Sequence, residues 1–249
     1  MIGAFIGYTV FQTLGWSYPV ALVIAVIACG VLGALVERIA FRPLADQHHI
    51  TLAMVTVGLS FTFKGAARLP FGGDIYTFPP LFPSAAPIIV GTAIISPQSL
   101  VTIGIAVVLG ALVFAFFRST TMGKQMRATQ QNLMGARLVG INTGRIFSAT
   151  WALACIAGGA AGVLAGPVSL LYPDMGTNFL LKGFAAAVLG GFESVPGAIL
   201  GGLLIGIIEM LFGGYVSTAF QHVSAFIIII IVLFIRPQGL FGRKSVTRV

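Results

Sequence analysis

The sequence predicts an all-α protein, a polytopic membrane bundle of about eight segments. Of its 249 residues, 57% are hydrophobic and only 8% are charged, whereas soluble domains carry about 25% charged residues. The apolar residues form long runs, several of them close to the ~20 residues that a helix needs to cross the hydrocarbon core. The basic residues stand in short segments between these runs. We therefore expect lipid to be the solvent of this chain, and residues 1–249 to form a single transmembrane domain.

Successive apolar runs, separated by charges, prolines or glycines, define the predicted segments. They are residues 2–14, 19–36, 50–63, 100–117, 146–171, 180–191, 195–212 and 225–235. The first run has no basic region before it and no clear cleavage site after it, so we predict a membrane segment and not a signal peptide. The sixth run is too short for a straight crossing of the membrane.

A proline-rich stretch, residues 70–97, separates the third and fourth segments. It contains one acid, Asp74, and no lysine or arginine. Because proline cannot continue a helix and restricts the residue before it, we predict extended structure on the exterior side. Lys64 and Arg68 then lie at an exterior boundary, where we expect their side chains to snorkel toward the membrane surface.

The longest polar stretch, residues 118–145, contains five basic residues and no acid. They are Arg118, Lys124, Arg127, Arg137 and Arg145. Loops rich in lysine and arginine face the cytoplasm, so this loop is predicted to lie inside. Four crossings follow it, and the basic tail that begins at Arg236 is therefore also predicted to lie inside. Both basic segments agree on a multi-pass protein of the inner membrane with a cytoplasmic C-terminus.

Several classes of function lack the residues that they require. The one Gly-Lys pair, Gly123-Lys124, is followed by glutamine, so no P-loop is present and no ATPase site is expected. Cys29 and Cys155 lie deep in apolar runs without a CxxC spacing, which favours packing over metal binding. With only three histidines in the chain, we predict no metal site, no cofactor and no catalytic residues. The positive charge indicates lipid headgroups as partners, and no nucleic acid.

Three charged residues near the short sixth segment are candidates for a transport pathway. Charge inside a membrane is costly and often functional, but Lys182, Glu193 and Glu209 each have an alternative: snorkelling, a place in a loop or internal pairing. Segment 180–191 and the turn after it fit either an interrupted helix that lines a pathway or an ordinary tilted hairpin. The candidate pathway or gating residues are Lys182, Gly190, Gly191, Glu193, Pro196, Gly197 and Glu209.

Small residues recur at every fourth position in two of the runs. Gly158, Gly162 and Gly166 form one series, and Gly197 and Gly201 belong to another. This spacing puts them on one helix face, where neighbouring helices approach closely in lipid. It predicts dense helix packing and does not by itself predict a pore.

Three stretches of the chain together resemble a known family. They are MGKQMRATQQNLMGARLVGINTGRI at residues 122–146, KGFAAAVLGGFESVPGAILGGLLIG at 182–206 and IRPQGLFG at 235–242. They are similar to the permease subunit of bacterial branched-chain amino acid ABC transporters, with weaker similarity at Glu37-Arg38 and Arg42-Pro43-Leu44. Members of that family usually begin with a further transmembrane segment before the part that matches Met1. We interpret the difference as a truncation, a mis-set start codon or a shortened variant.

The resemblance implies a subunit of an importer that works by alternating access. Two cytosolic ATP-binding subunits would supply the energy, a second homologous permease subunit would complete the pathway, and a periplasmic binding protein would deliver the substrate. Branched-chain amino acids fit the family best, although its relatives also import urea, amides and other amino acids. The basic loop would be the ATPase coupling loop, with the residues Gly123, Met126, Arg127, Ala128, Asn132, Ala136, Arg137, Gly140 and Ile141.

Within this loop we predict one short helix, roughly residues 124–138. Its apolar side chains, which would seat in a cleft of the ATPase, are Met126, Leu133, Met134 and Leu138. The alternative is an amphipathic helix that lies on the membrane surface. Two other functions compete with the importer: a passive channel or facilitator for a small polar solute such as urea or amides, which would need a polar ring along its pore, and an intramembrane enzyme, for which no catalytic set is found.

Overall fold

The computed structural model describes residues 1–44, 47, 49–79, 88–90, 93–192, 194–221, 223–236 and 238–241. Its α-helices are α1 (Ile2–Tyr8), α2 (Tyr18–Val36), α3 (His49–Phe71), α4 (Pro97–Ser119), α5 (Thr121–Gln131), α6 (Leu133–Leu138), α7 (Thr143–Ala165), α8 (Met175–Gly190), α9 (Val195–Tyr215), α10 (Thr218–Gln221) and α11 (Ser224–Ile235). π-Helical turns extend α1 over Thr9–Thr13 and α2 over Glu37–Phe41, and a 3-10 turn, Arg42–Leu44, follows the second of these.

Helices that are long and apolar enough to cross a membrane dominate the described part of the chain. There are five of them: Tyr18–Leu44, Ile50–Phe71, Pro97–Ser119, Thr143–Ala165 and Val195–Tyr215. α8 and α11 are shorter apolar helices, and α1 with its extension occupies the first predicted segment. The order of apolar segments follows the prediction, and the all-α class of a polytopic helical membrane bundle is confirmed.

The proline-rich stretch contains extended backbone where it is described. β1 (Ile88–Val90) and β2 (Ala93–Ile95) pair antiparallel, with Ile89 opposite Ile94. Tyr76 exchanges two backbone hydrogen bonds with Leu171, at 2.8 and 2.9 Å. These segments confirm the extended structure expected over residues 70–97 in part, since Pro70 and Phe71 still belong to α3.

By their internal contacts, the residues form two compact units. The first comprises residues 1–109 and 115–175, and the second comprises residues 110–114 and 176–249. In the first, α1 and α2 pack against α7. Close approach is possible because small residues face each other: a Cβ on Gly33 would lie 2.7 Å from the Trp151 carbonyl oxygen, and one on Gly159 would lie 2.7 Å from Cys29 Sγ. Dense packing is confirmed at these positions, where Cys29 is one of the packed residues, but a Cβ on Gly158 of the predicted series would meet no atom within 4 Å.

Asp174 pairs with both cations at the end of α3. Its Oδ1 lies 3.0 Å from Lys64 Nζ, and its Oδ2 lies 2.6 Å from Arg68 Nη2. An acid in the turn after α7 therefore pairs with both charges, and the expected snorkelling stays a prediction. α3 continues to Phe71, so the predicted end of this segment at residue 63 is wrong. Hydrogen bonding from Lys64, and then from Arg68, holds the pKa of Asp174 below its usual value.

The core of the second unit lies between α8, α9 and α11. Its buried side chains are Ala185, Ala186, Leu189, Ile205 and Ala225. Three are alanines, and a layer of small side chains lets the helix backbones approach closely in lipid. α8 begins at Met175 and ends at Gly190, so it is longer than the predicted segment 180–191.

Candidate functional site

The basic loop forms two helices, and the single helix predicted over residues 124–138 is wrong. The chain leaves helical geometry at Asn132 (φ −153°, ψ 102°), which separates α5 from α6. The Asn132 side chain accepts a hydrogen bond from the Gly135 N–H at 2.8 Å. Thr120 caps α5 in the same way, accepting from the Gly123 N–H at 3.0 Å. Asparagine side chains satisfy the free N–H groups of a helix start, which favours a new helix at this residue.

The Gly140-Ile141 pair ends α6. The Ile141 N–H donates to the Ala136 carbonyl at 3.0 Å, and the Gly140 N–H donates to the Arg137 carbonyl at 3.1 Å. This is a Schellman motif, in which the residue after the helix adopts a left-handed conformation that glycine tolerates best; the φ of Gly140 is +83°. Asn142 then caps α7 by accepting from the Arg145 N–H at 3.1 Å. The backbone path of the loop is set by these local signals.

The predicted coupling residues divide into buried and exposed groups. Gly123, Met126 and Ala136 are buried in the first unit, and a Cβ on Gly123 would lie 2.7 Å from Phe117 Cα. The exposed ones are Arg127, Ala128, Asn132, Arg137 and Gly140. Large apolar side chains are exposed beside them, at 65% for Met134, 81% for Leu138 and 76% for Val139. Met126 faces the protein's own interior, so the apolar surface of the loop is formed by α6 and the residue after it.

A cavity of about 830 Å³ lies beside α6 in the first unit. Its lining comes from the end of α2, from α3, from α6 and from the start of α7. Among the described residues, those that line it are Glu37, Phe41, Arg42, Leu52, Ala53, Thr56, Leu133, Arg137, Asn142, Thr143, Gly144, Arg145, Phe147 and Trp151. Leu133 and Arg137, one turn apart on α6, line this cavity and are also exposed, whereas Met134 and Leu138 are exposed and do not line it.

A buried carboxylate, Glu37, lines this cavity and ties the end of α2 to α7. Ser148 Oγ donates to Glu37 Oε2, and Arg42 Nε lies 3.6 Å from Glu37 Oε1. Arg42 Nη2 also donates to Ser148 Oγ at 3.2 Å and to the Gly144 carbonyl at 3.3 Å. Glu37 is 2% exposed, and a buried charge is stable only when it is paired and hydrogen-bonded in this way.

Sequence reasoning did not select Glu37 as a functional residue. The available signal was an acid at the end of an apolar run, followed by arginine at the fifth position. That spacing does not put two side chains on one face of an α-helix, but α2 continues here as a π-helical turn and the chain then bends. Single π-turns are frequent at functional sites. Only the tertiary structure adds Ser148, which lies 111 positions further along the chain.

The α8–α9 hairpin brings together Gly190 and Gly197, two of the predicted pathway residues. A Cβ on either glycine would overlap the carbonyl oxygen of the other, so the two backbones touch at this point. Pro196 stands in the first turn of α9, and Ser194 caps that helix by accepting from the Gly197 N–H at 3.1 Å. Gly191 begins the turn. Glu193 lies outside the described residues.

The third family-like stretch lies against the end of α8. The Leu240 N–H donates to the Leu189 carbonyl at 2.8 Å, and the Phe241 N–H donates to the Gly190 carbonyl at 3.2 Å. A Cβ on Gly239 would lie 2.5 Å from the Gly191 nitrogen. Carbonyl groups at a helix end need partners from outside the helix, and the tail supplies two of them. Two sequence stretches that are far apart along the chain thus form one structure.

Lys182 and Glu209 form an ion pair between α8 and α9. Lys182 Nζ lies 2.6 Å from Glu209 Oε1, with 35% of the lysine side chain and 9% of the glutamate side chain exposed. Of the alternatives left open by the sequence, internal pairing is the one observed. No group of three or more His, Cys, Asp or Glu residues that could hold a metal ion occurs within the described ranges.

The chain is similar over nearly its whole length to membrane permeases. Residues 1–235 match the family described as "Branched-chain amino acid transport system / permease component". The chain is 32% identical to the high-affinity branched-chain amino acid transport system permease protein LivH of Escherichia coli (strain K12), in an alignment that covers all of this chain and 85% of LivH. No solved structure matches the chain.

Two further relatives show how the similarity falls off. The permease protein BraD of the high-affinity branched-chain amino acid transport system of Pseudomonas aeruginosa is 30% identical, again over all of this chain and 85% of the relative. The autoinducer 2 import system permease protein LsrC of Escherichia coli (strain K12 / DH10B) is 29% identical over 76% of this chain and 54% of LsrC. The alignments with LivH and BraD thus cover all of this chain, whereas the alignment with LsrC covers 76% of it.

Proposed function

The chain belongs to the family of permease components of branched-chain amino acid transport systems, and from this we propose that it is the membrane subunit of an ABC importer for branched-chain or related amino acids. Separate cytosolic ATP-binding subunits drive alternating access, a second permease subunit completes the pathway, and a periplasmic binding protein selects the substrate. The protein lies in the bacterial inner membrane, and its C-terminus faces the cytoplasm.

The observation that supports ATPase docking most directly is the exposed apolar surface of the basic loop. A basic loop that faces water is expected to expose polar side chains. In this loop, which has five basic residues, Met134, Leu138 and Val139 are nevertheless all more than half exposed. Exposed apolar patches with polar rims are typical of interaction sites. Methionine and leucine at positions one turn apart can enter a groove on a partner. Arg127 and Arg137 supply the polar rim.

Burial also helps to distinguish docking from a helix that lies on the membrane surface. A helix on the membrane needs one continuous apolar face along its length. Of the two methionines of α5, Met126 is buried and Met122 is half-buried, and the exposed residues of that helix include Lys124, Arg127 and Gln131. The exposed apolar side chains are confined to residues 133–139, which is a size that suits a protein groove.

The test places negative charge on the proposed docking surface. We expect Arg127→Glu with Ala128→Glu to abolish co-purification of the cognate ATPase and substrate-stimulated ATP hydrolysis, since both residues are exposed on α5. The matched control is Thr77→Glu, an exposed position in the segment predicted to lie outside. Both variants should unfold within a few degrees of the parent chain, because exposed substitutions usually change stability by less than about 0.5 kcal/mol. Unchanged coupling in the α5 variant would overturn the assignment.

The pathway remains a proposal that rests on the α8–α9 hairpin. Lys182 and Glu209 place an ion pair between two apolar helices, where charge is expensive and often serves transport. A passive channel would also move solute, but without ATP. Uptake of radiolabelled leucine into vesicles, measured with and without ATP and with the binding protein present, separates the two. Equal uptake without ATP would favour the channel.

A further inference from the structure

We propose that the cavity beside α6 is a binding site for an anionic phospholipid, with the phosphate held by Arg137 and Arg145. The site is distinct from the proposed substrate pathway and borders the ATPase docking surface, with which it shares Leu133 and Arg137. The proposal rests on the position, the lining and the charge of the cavity.

The cavity lies at the ends of membrane-spanning helices. Most of its lining residues belong to the last turns of the Tyr18–Leu44 span, the first turns of α3 and the first turns of α7, and α6 adds Leu133 and Arg137. This is the arginine-rich end of the spans, which we propose faces the cytoplasm. Phospholipid headgroups occupy this depth, and basic pockets between helices on this side of a membrane bind anionic headgroups.

The walls of the cavity are amphipathic. On the apolar side, Phe41 and Trp151 stack with their ring centroids 4.3 Å apart, and Leu52, Leu133 and Phe147 extend this surface. Tryptophan at a membrane interface is typical of headgroup-level contacts. A soluble anion would gain nothing from these side chains, whereas a phospholipid can lay its acyl chain against them and keep its phosphate beside the arginines.

The lining of the cavity carries more positive than negative charges. Glu37 is its one acid among the described residues, and Glu37 is already paired with Arg42 and Ser148. Arg137 and Arg145 are exposed, and their guanidinium groups have no acidic partner in the described part of the chain. Two cations beside an apolar cavity at headgroup depth complement a phosphodiester, which arginine binds with two parallel hydrogen bonds.

The direct test measures phospholipid binding to the 249-residue chain in detergent, without its partner subunits. We expect phosphatidylglycerol, and not phosphatidylcholine, to raise the thermal unfolding midpoint and to be retained in native mass spectra. Arg137→Gln with Arg145→Gln should weaken retention by about 25-fold, since one basic residue near an anionic lipid contributes about fivefold in affinity. The matched control is Lys124→Gln with Arg127→Gln, which removes the same charge from exposed positions outside the cavity.

Equal loss of phosphatidylglycerol in the two double variants would overturn the proposal, because charge alone would then explain binding. So would an equal upward shift of the midpoint with inorganic phosphate or glycerol phosphate, which would indicate a site for a free anion. The assay contains no ATPase, so its outcome is separate from the outcome of the docking test.

A second measurement leaves the arginines in place and therefore avoids any folding defect of the variants. A photoreactive benzoylphenylalanine replaces Leu52, which lines the cavity, or Ile50, which is 72% exposed and lies outside it. In vesicles of known composition, adducts at residue 52 should be enriched in phosphatidylglycerol, whereas adducts at residue 50 should match the bulk lipid. The same composition at both positions contradicts the site.

Discussion

The two longest family-like stretches, in the basic loop and in the α8–α9 hairpin, use their residues in opposite ways. In the hairpin, Gly190 and Gly197 let the backbones of α8 and α9 touch, and Ser194 caps α9. In the loop, Asn132 caps the start of α6 and Gly140 ends that helix. Arg127, Ala128 and Arg137, by contrast, are exposed. These hairpin residues are therefore accounted for by contacts within the hairpin. The exposed side chains of the loop are not accounted for by packing within the first unit.

This difference indicates where each stretch can tolerate change. A substitution at the Gly190–Gly197 contact of the hairpin alters the distance between two helices, and its first effect is on folding. A substitution on the exposed face of the loop leaves the fold intact, and its effect is on a partner. Stability and coupling are therefore separable measurements, and the following variants test whether the two regions really differ.

The largest expected effect on stability is that of Gly197→Ala. The added methyl group would overlap the Gly190 carbonyl, and overpacking costs about 1–3 kcal/mol or more. We expect a lower thermal unfolding midpoint in detergent and a poor yield of monodisperse protein. Gly206→Ala on the same helix is the control, because its Cβ would meet no atom within 4 Å; alanine there should be neutral or stabilising by up to about 1 kcal/mol. Similar midpoints for the two variants would contradict the contact.

Lys182→Met has the second-largest expected effect on stability. This variant tests whether the ion pair stabilises the fold or takes part in transport. It leaves Glu209, which is 7% exposed, without its cation, and loss of about 2 kcal/mol is expected because the pair is only partly buried. Adding Glu209→Met should restore the unfolding midpoint. If the pair is structural, the double variant also transports leucine. If transport is lost although the midpoint recovers, the pair belongs to the pathway.

Asn132→Ala should have an intermediate effect, located in the loop. Removal of the side chain that caps α6 costs about 1 kcal/mol, and the two loop helices lose their fixed junction. Asn132→Asp, which can accept the same hydrogen bond from Gly135, is the control and should remain close to the parent. Hydrogen exchange at residues 133–139 is the measurement. Unchanged exchange in the alanine variant would mean that packing, and not the cap, holds α6.

The smallest expected effect is that of Asp174→Asn, in the turn that pairs with the end of α3. Because the pKa of Asp174 is lowered in the folded state, its pairs with Lys64 and Arg68 contribute stability above the ordinary pKa of 3.8 and lose it as the pH falls through the lower folded value. At pH 7 the parent chain should therefore have a slightly higher thermal unfolding midpoint than the variant. This difference in midpoint should disappear in strong acid or high salt. A difference that persists in acid would contradict this origin.

The sequence was sufficient for much of the fold and for part of the candidate site. Apolar runs indicate the membrane segments, and the four-residue spacing of Gly162 and Gly166 indicates close helix packing. The full length of α3 does not follow from the sequence, because Lys64 and Arg68 resemble a segment boundary when their remote partner Asp174 is unknown. The break between α5 and α6 is local, but the apolar pattern on both sides of the Asn132 cap favours one continuous helix.

What the sequence by itself determined is local: which runs enter the lipid, where Thr120 and Asn142 start helices, and where Gly140 ends one. Hydrophobicity, side-chain caps and left-handed glycine act within a few residues, so they can be inferred from neighbours in the chain. Only the tertiary structure decided the pairs Lys182–Glu209, Arg68–Asp174 and Glu37–Ser148, whose members lie 27, 106 and 111 positions apart. A charge in lipid must find a partner, but its partner is chosen by helix packing, and no local pattern encodes that choice.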